Sequence, residues 1–324
     1  MAIRRNVKEI MEDILLQNSS GNAQADAVMR EVIRVYEDAY PQHIAGYYVE
    51  GSYTDRTHLA TSDLDLVMIF HQPFADDEAR KAAEQAWNVS NKASTLEVDI
   101  TLVNEQELQA GVDPNLKLGS RFIYGEDVCR NYPILPIEAW TRDRMHASYW
   151  LLVNIYQRPT PVQLELDFPD ITDEFYGYVN RTIQLPDGRE VPCTRNLVRT
   201  TGWAATALLA LQAGQYAARK RDCTQLYRTH IGGTWATLLE DISTFCRYKW
   251  QYLIPNELAA RQQLRAICER TLLFERYFLT LYKDYLLGQL QSTQQEQLNR
   301  ALWVQEHSPL ADTEVTMVLQ TIRQ

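Results

Sequence analysis

The sequence predicts an α+β chain in two parts, a small mixed-sheet domain over residues 1–136 followed by an all-helical domain over residues 137–324. Three observations carry this reading. Helix-period and strand-period segments alternate as far as residue 103. Prolines then punctuate Asn131-Tyr132-Pro133 and Pro136, and beyond them the segments become long and helical in period. A chain of 324 residues also favours two cores over one.

The elements follow in order. Residues 5–16 and 23–40 are amphipathic at helical period, the second run ending at Pro41. Residues 44–50 (Ile-Ala-Gly-Tyr-Tyr-Val-Glu) are rich in β-formers and stop at Gly51-Ser52. A second strand spans 64–70, a helix 76–90, and a third strand of clear alternation 95–103. In the second part, helices are expected over 137–157, 195–214, 222–227, 235–248, 256–287 and 312–323. The Gln-rich stretch near 289–297 reads as solvated helix. The stretch 159–192 is irregular, with a hairpin turn at Pro186-Asp187-Gly188.

Composition narrows the function. With 45% hydrophobic and 23% charged residues, the chain has the make-up of a folded globular protein. A net charge of −10 opposes the broad basic surface that a long nucleic acid requires. No apolar stretch approaches the roughly 20 residues that cross a bilayer, and Met1-Ala2-Ile3-Arg4-Arg5-Asn6 lacks a signal-peptide core, so no membrane partner and a cytoplasmic location are expected. The five cysteines are odd in number and scattered without zinc spacing, which predicts reduced packing residues.

The chemistry concentrates in the first part. In Ser62-Asp63-Leu64-Asp65-Leu66, strand geometry puts Asp63 and Asp65 on one face and the leucines on the other. Two neighbouring carboxylates repel, and an oxygen-only pair suits Mg²⁺ bridging to substrate phosphates. In Leu96-Glu97-Val98-Asp99-Ile100-Thr101-Leu102, alternation sets Glu97, Asp99 and Thr101 opposite the apolar residues. If the two strands are neighbours, Asp99 joins the pair, and three carboxylates suffice to hold two cations about 4 Å apart. Gly51-Ser52 supplies a turn in which the absent Cβ lets phosphate oxygens approach the backbone and a hydroxyl.

Gly51-Ser52, ten intervening residues, Asp63-Leu64-Asp65 and the later Asp99 resemble the signature of the polymerase-β-like nucleotidyltransferases. Within that superfamily the chain is most similar to the aminoglycoside adenylyltransferases, antibiotic-resistance enzymes with a catalytic α/β domain and a helical one. The resemblance implies a catalytic domain over 1–136, a helical substrate- and nucleotide-binding domain over 137–324, ATP as co-substrate and two Mg²⁺ ions. Asp63, Asp65 and Asp99 would be metal ligands and Gly51 and Ser52 would hold the nucleotide. Leu96-Glu97-Val98 resembles the family's Leu-Glu-Val, which places a catalytic base at Glu97; the strand geometry alone leaves either Glu97 or Asp99 for that role. Ile123-Tyr124-Gly125-Glu126-Asp127 is similar to a Leu-Tyr-Gly-x-Asp segment, and Arg195-Asn196-Leu197-Val198 to an Arg-Asn-Val-Val helix start. Arg219-Lys220 resembles a Pro-Lys segment whose lysine reaches the triphosphate, a role that falls on Lys220. The chain departs from many relatives at Asp55 and Arg56, where an arginine and a glycine are usual, and at Arg219.

Two adjacent segments separate charge. Residues 162–190 carry seven acids against two arginines, and residues 193–228 six bases against Asp222. The acidic, aromatic segment (Phe168, Phe175, Tyr176, Tyr178) would suit a cationic acceptor, the basic one a nucleoside triphosphate. The expected reaction is transfer of AMP from ATP to a hydroxyl of a small molecule. The alternatives are a regulatory or antitoxin-like enzyme acting on a protein, and transfer to a nucleotide or RNA.

Overall fold

The computed structural model describes residues 14–90, 96–185 and 187–322. The chain divides into two compact units at Pro136–Ile137. Of the helix expected over 5–16 only residues 14–16 are described, and they are not helical; the start of the strand expected at 95 and Pro186 of the expected turn lie outside the described residues.

The first unit runs α1 (Ala23–Ala39), β1 (Ile44–Glu50), β2 (Leu64–Phe70), α2 (Asp77–Ser90), β3 (Val98–Asn104) and β4 (Arg121–Gly125). Its four strands are ordered β3-β2-β1-β4. β1 is antiparallel to both neighbours, whereas β2 and β3 are parallel. A parallel pair needs a crossover, and α2 is that crossover. One face of the sheet packs Tyr47, Val49, Leu64, Leu66, Met68 and Leu102 against Met29, Val32, Ile33 and Tyr36 of α1 and Ala83 and Trp87 of α2. Each such large side chain contributes about 1.5–3 kcal/mol on burial. The other face buries Tyr48, Val67 and Ile69 against Leu108, Val112, Leu116, Val128 and Cys129 from the segments around β4.

β4 is a strand that periodicity does not announce. Gly125 at its end has φ +86°, and a Cβ there would overlap the Ala45 carbonyl. Glu126 N then donates to Ala45 O (2.7 Å), and the Asp127 carboxylate accepts from Tyr48 Oη (3.1 Å). The Ile123–Asp127 stretch therefore closes the sheet.

The second unit contains α3 (Ile137–Ile155), α4 (Arg195–Ala213), α5 (Lys220–His230), α6 (Gly233–Asp241), α7 (Leu258–Leu290), α8 (Gln295–His307) and α9 (Thr313–Ile322). α4 packs against α3, α5 and α7. Gly214 stops α4 in the left-handed conformation, with its N–H on Ala210 O. The helix expected over 235–248 divides: after Asp241 the chain widens into a π-helical stretch, Ile242–Lys249, where Trp250 N reaches Phe245 O. Two short strand pairs accompany the helices. β5 (Val162–Gln163) is parallel to β8 (Leu310–Ala311), and β6 (Arg181–Gln184) forms a hairpin with β7 (Glu190–Cys193) around the expected turn. All five cysteines are buried and free. No helix among the described residues is long and apolar enough to cross a membrane.

The aromatic residues at helical spacing form the core of this unit, with Phe274, Phe278 and Tyr282 fully buried. Among them sits His146, whose Nδ1 lies 3.0 Å from Tyr282 Oη. Burial, reinforced by Arg300 and Arg142, drops its pKa from 6.5 to about 3. A folded-state value below the unfolded one means that the unfolded chain takes up the proton first. The stability is complete above pH 6.5 and is lost as the pH falls toward 3, by about 1.4 kcal/mol per unit. Urea titrations at pH 7 and pH 5 should show that His146→Phe removes about 2 kcal/mol of the acid-induced loss.

Candidate active site

β2 is where the acids meet. Its parallel register with β3 sets Asp65 opposite Asp99, and its antiparallel register with β1 sets Asp65 opposite Glu50. Three carboxylates thus occupy adjacent positions on β1, β2 and β3, on one face of the sheet. Asp63 precedes Asp65 by two residues and continues that face. Leu64 N donates to Glu97 O (2.9 Å), so the ladder begins immediately before β3 and brings Glu97 to the Asp63 end of the row. Leu64 and Leu66 are buried in the opposite face, Asp63 and Asp65 are partly exposed, and Glu97 and Asp99 are exposed. Among the described residues, no three carboxylate, imidazole or thiol side chains stand close enough together to hold a metal ion. The sheet supplies the row, not a closed ligand cage.

Gly51 joins the turn to this row. Its φ is +69°, and a Cβ on it would overlap Oδ2 of Asp65. The carboxylate of Asp65 therefore rests against a turn that only glycine leaves open. In Gly51→Ala the short Asp65 side chain must rotate away and the left-handed backbone costs about 1–2 kcal/mol. A displacement of about 1 Å at such a group lowers turnover on the order of 10²-fold, which steady-state rates measure, with a thermal melt reporting the smaller loss of stability.

The loop from Gly51 to Asp63 is tied by its own backbone. Gly51 O accepts from Thr54 N (3.3 Å) and Thr54 Oγ1 (2.8 Å), and Ser52 O accepts from Thr57 N (3.0 Å). Ser62 closes it: its Oγ accepts from Leu59 N (2.9 Å) while its N–H donates to Leu59 O (3.0 Å). Tyr53, behind Ser52, is buried and stacks on His58 with ring centroids 4.4 Å apart and planes 9° from parallel. Burial raises the Tyr53 pKa, and the negative charge of Asp63 adds to it, so the two side chains are electrostatic neighbours.

Residues 29–118 match the family of nucleotidyltransferase domains. That span holds Gly51-Ser52, Asp63, Asp65, Glu97 and Asp99. Residues 29–118 are a nucleotidyltransferase domain. A comparison with curated proteins finds no match. Among solved structures the chain is similar to spectinomycin adenyltransferase AAD(9) from Enterococcus faecialis, solved with ATP and spectinomycin. The two share 13% identity over 75% of this chain and 97% of that one, with a TM-score of 0.45.

Outside the nucleotidyltransferase domain, the residues picked from sequence take other places. Arg195 and Asn196 are buried at the start of α4; Arg195 lies over the Tyr252 ring (5.7 Å) and Asn196 donates to Asn180 (2.9 Å). Lys220 is the first residue of α5, and its side chain lies outside the described residues. The acidic segment is matched by α7: Arg261 forks onto Glu174, and Arg276 pairs with Glu165 (3.3 Å). Phe175 and Tyr178 are buried, and Tyr176 is sandwiched between Phe168 (3.9 Å) and Arg265 (4.4 Å). Two acids of the 162–190 run, Glu165 and Glu174, thus find counter-charges on a helix far along the chain.

Glu50 is the acid the sequence reading missed. β1 reads as a continuous apolar run, and the signal was the period-2 step from Tyr48 to the last residue before Gly51.

Proposed function

We propose that this nucleotidyltransferase transfers AMP from ATP to a hydroxyl of a small molecule, releasing pyrophosphate. The observation that carries the reading is the register that sets Asp65 opposite Asp99, with Asp63 two residues before it and Gly51 against the Asp65 carboxylate. The row is no closed cage, but Mg²⁺ is ordinarily held by one or two carboxylates together with substrate phosphates, and on that footing Asp63, Asp65 and Asp99 would hold two Mg²⁺ ions jointly with the triphosphate. When bound, the ions polarise the α-phosphate and neutralise the departing pyrophosphate. The chain's own groups do the rest. Gly51 and Ser52 would cradle the triphosphate with backbone N–H groups and a hydroxyl. Glu97 or Asp99, both exposed at the end of the row, takes the proton from the attacking hydroxyl.

ATP as donor and a small molecule as acceptor rest on the likeness of Leu96-Glu97-Val98 and Arg195-Asn196 to the aminoglycoside adenylyltransferases. Glu165 and Glu174 of the acidic run are paired with arginines of α7, so the reading rests on the acceptor's hydroxyl and not on its charge. The test is the fate of label from [α-³²P]ATP with Mg²⁺ and an aminoglycoside panel, nucleotides alone, or a cell extract. Label on a small molecule, abolished by chelation, is expected. Label confined to protein, to nucleotide or to RNA would replace the acceptor, and no release of pyrophosphate under any condition would overturn the reading.

A further inference from the structure

We propose that Asn22 and His58 form a clamp that holds the Gly51–Ser52 turn in its nucleotide-binding shape, with His58 a positioning residue. The inference rests on the nucleotidyl-transfer reading of that turn. The clamp itself is visible in the hydrogen bonding.

Asn22 is the N-cap of α1, where its Oδ1 accepts from Ala25 N (3.0 Å). With the oxygen so used, its Nδ2 donates to His58 Nε2 (3.2 Å), across 36 residues of sequence. Nε2 is then the acceptor of this bond, because an amide nitrogen can only donate. Nδ1 is enclosed and has no hydrogen-bond partner among the described residues. The ring is held by the Asn22 bond on its edge and by the Tyr53 stack on its face. Tyr53 directly follows Ser52, so whatever fixes His58 fixes the turn.

The loop needs an external anchor. Arg56, a non-glycine residue, sits at φ +62°, a conformation that costs about 1–2 kcal/mol and does not persist unsupported. Its guanidinium packs on Gly21, where a Cβ would come within 2.8 Å of Nε. Gly21 and Asn22 belong to a turn that is itself pinned: the Asp26 carboxylate accepts from Ser19 Oγ (2.5 Å), Ser20 N (2.9 Å) and Ser20 Oγ (2.6 Å). From Asp26 through Ser20, Asn22 and His58 to Tyr53, rigid contacts run from the start of α1 to the residue beside Ser52. Helix α1 thereby orients the loop as well as covering the sheet.

Three variants of the full chain test the clamp. Asn22→Ser keeps a good N-cap but is too short to reach His58. His58→Phe keeps the stack and loses the acceptor. His58→Gln restores an acceptor for Asn22 but gives up the ring that stacks on Tyr53. In the absence of nucleotide, amide exchange of the 51–63 segment should quicken about tenfold in all three variants, since each loses one of the two contacts that join Asn22 through the ring to Tyr53. The Kd and KM for MgATP should rise about tenfold in all three, with kcat within about threefold. Wild-type exchange in any of the three variants overturns the clamp. If the wild type transfers no nucleotide to any acceptor, the proposed function falls while the exchange result still decides the clamp.

Discussion

Asp65→Asn should lower nucleotide transfer on the order of 10³-fold or more while the chain stays folded, because a carboxylate that organises cations and phosphate supplies several kcal/mol to the transition state. Asp65 is the middle of the row. It faces Asp99 on one side and Glu50 on the other, and its Oδ2 fills the space that Gly51 leaves open. Asparagine has nearly the same shape, so the turn and the buried Leu64 and Leu66 beside it are undisturbed. Removing one charge from a row of like charges also relieves repulsion, so the melting temperature should hold or rise slightly. Steady-state pyrophosphate release and a thermal melt on the same preparation measure both effects. Near-normal turnover in Asp65→Asn would mean that the row is not the reacting centre.

Much of this centre was legible in the chain because it lies on regular strands. Ile44–Glu50 and Leu64–Phe70 are bounded by turn residues and are rich in β-formers (Tyr47, Tyr48 and Val49; Val67, Ile69 and Phe70), so their limits follow from local chemistry. Alternation told which side of β3 the acids take. That β2 and β3 are neighbours was conditional, since pairing depends on how α2 crosses over and no local pattern encodes it. β4 escaped because Arg121-Phe-Ile-Tyr-Gly is short and punctuated by a glycine whose role is its close approach to Ala45.

Long-range partners were not legible for the same physical reason. His58 carries no local mark of its role, because its partner is an N-cap 36 positions away. The acidic run 162–190 looked like a docking site for a cation, but its counter-charges Arg261, Arg265 and Arg276 lie on α7, far along the chain. A charge run reports on function only after the other elements have had the chance to neutralise it.

The strongest case of such pairing gives the largest expected effect on stability. Arg158→Met should destabilise the chain by about 3–5 kcal/mol, read as a fall in the urea midpoint. Arg158 Nη2 lies 2.6 Å from Glu275 Oε2, with side-chain exposures of 4% and 2%. The same oxygen accepts from Tyr178 Oη (2.9 Å), and Arg158 also donates to the Asp167 carbonyl. Burial raises the Glu275 pKa even against the pull of the guanidinium. Glu275 Oε1 and Arg158 Nε have no hydrogen-bond partner among the described residues, so desolvation is only partly offset and the pair as a whole contributes little. The damage in the single variant is the carboxylate left behind. A group whose folded pKa is raised keeps its stability below its unfolded value near 4.5 and loses it as the pH climbs, so the Arg158→Met defect should be smaller at pH 5 than at pH 8. Replacing both partners, Arg158→Met with Glu275→Leu, should recover most of the loss, whereas a double variant as unstable as the single one would show that packing around Tyr156 and Tyr178, not the orphaned charge, sets the cost.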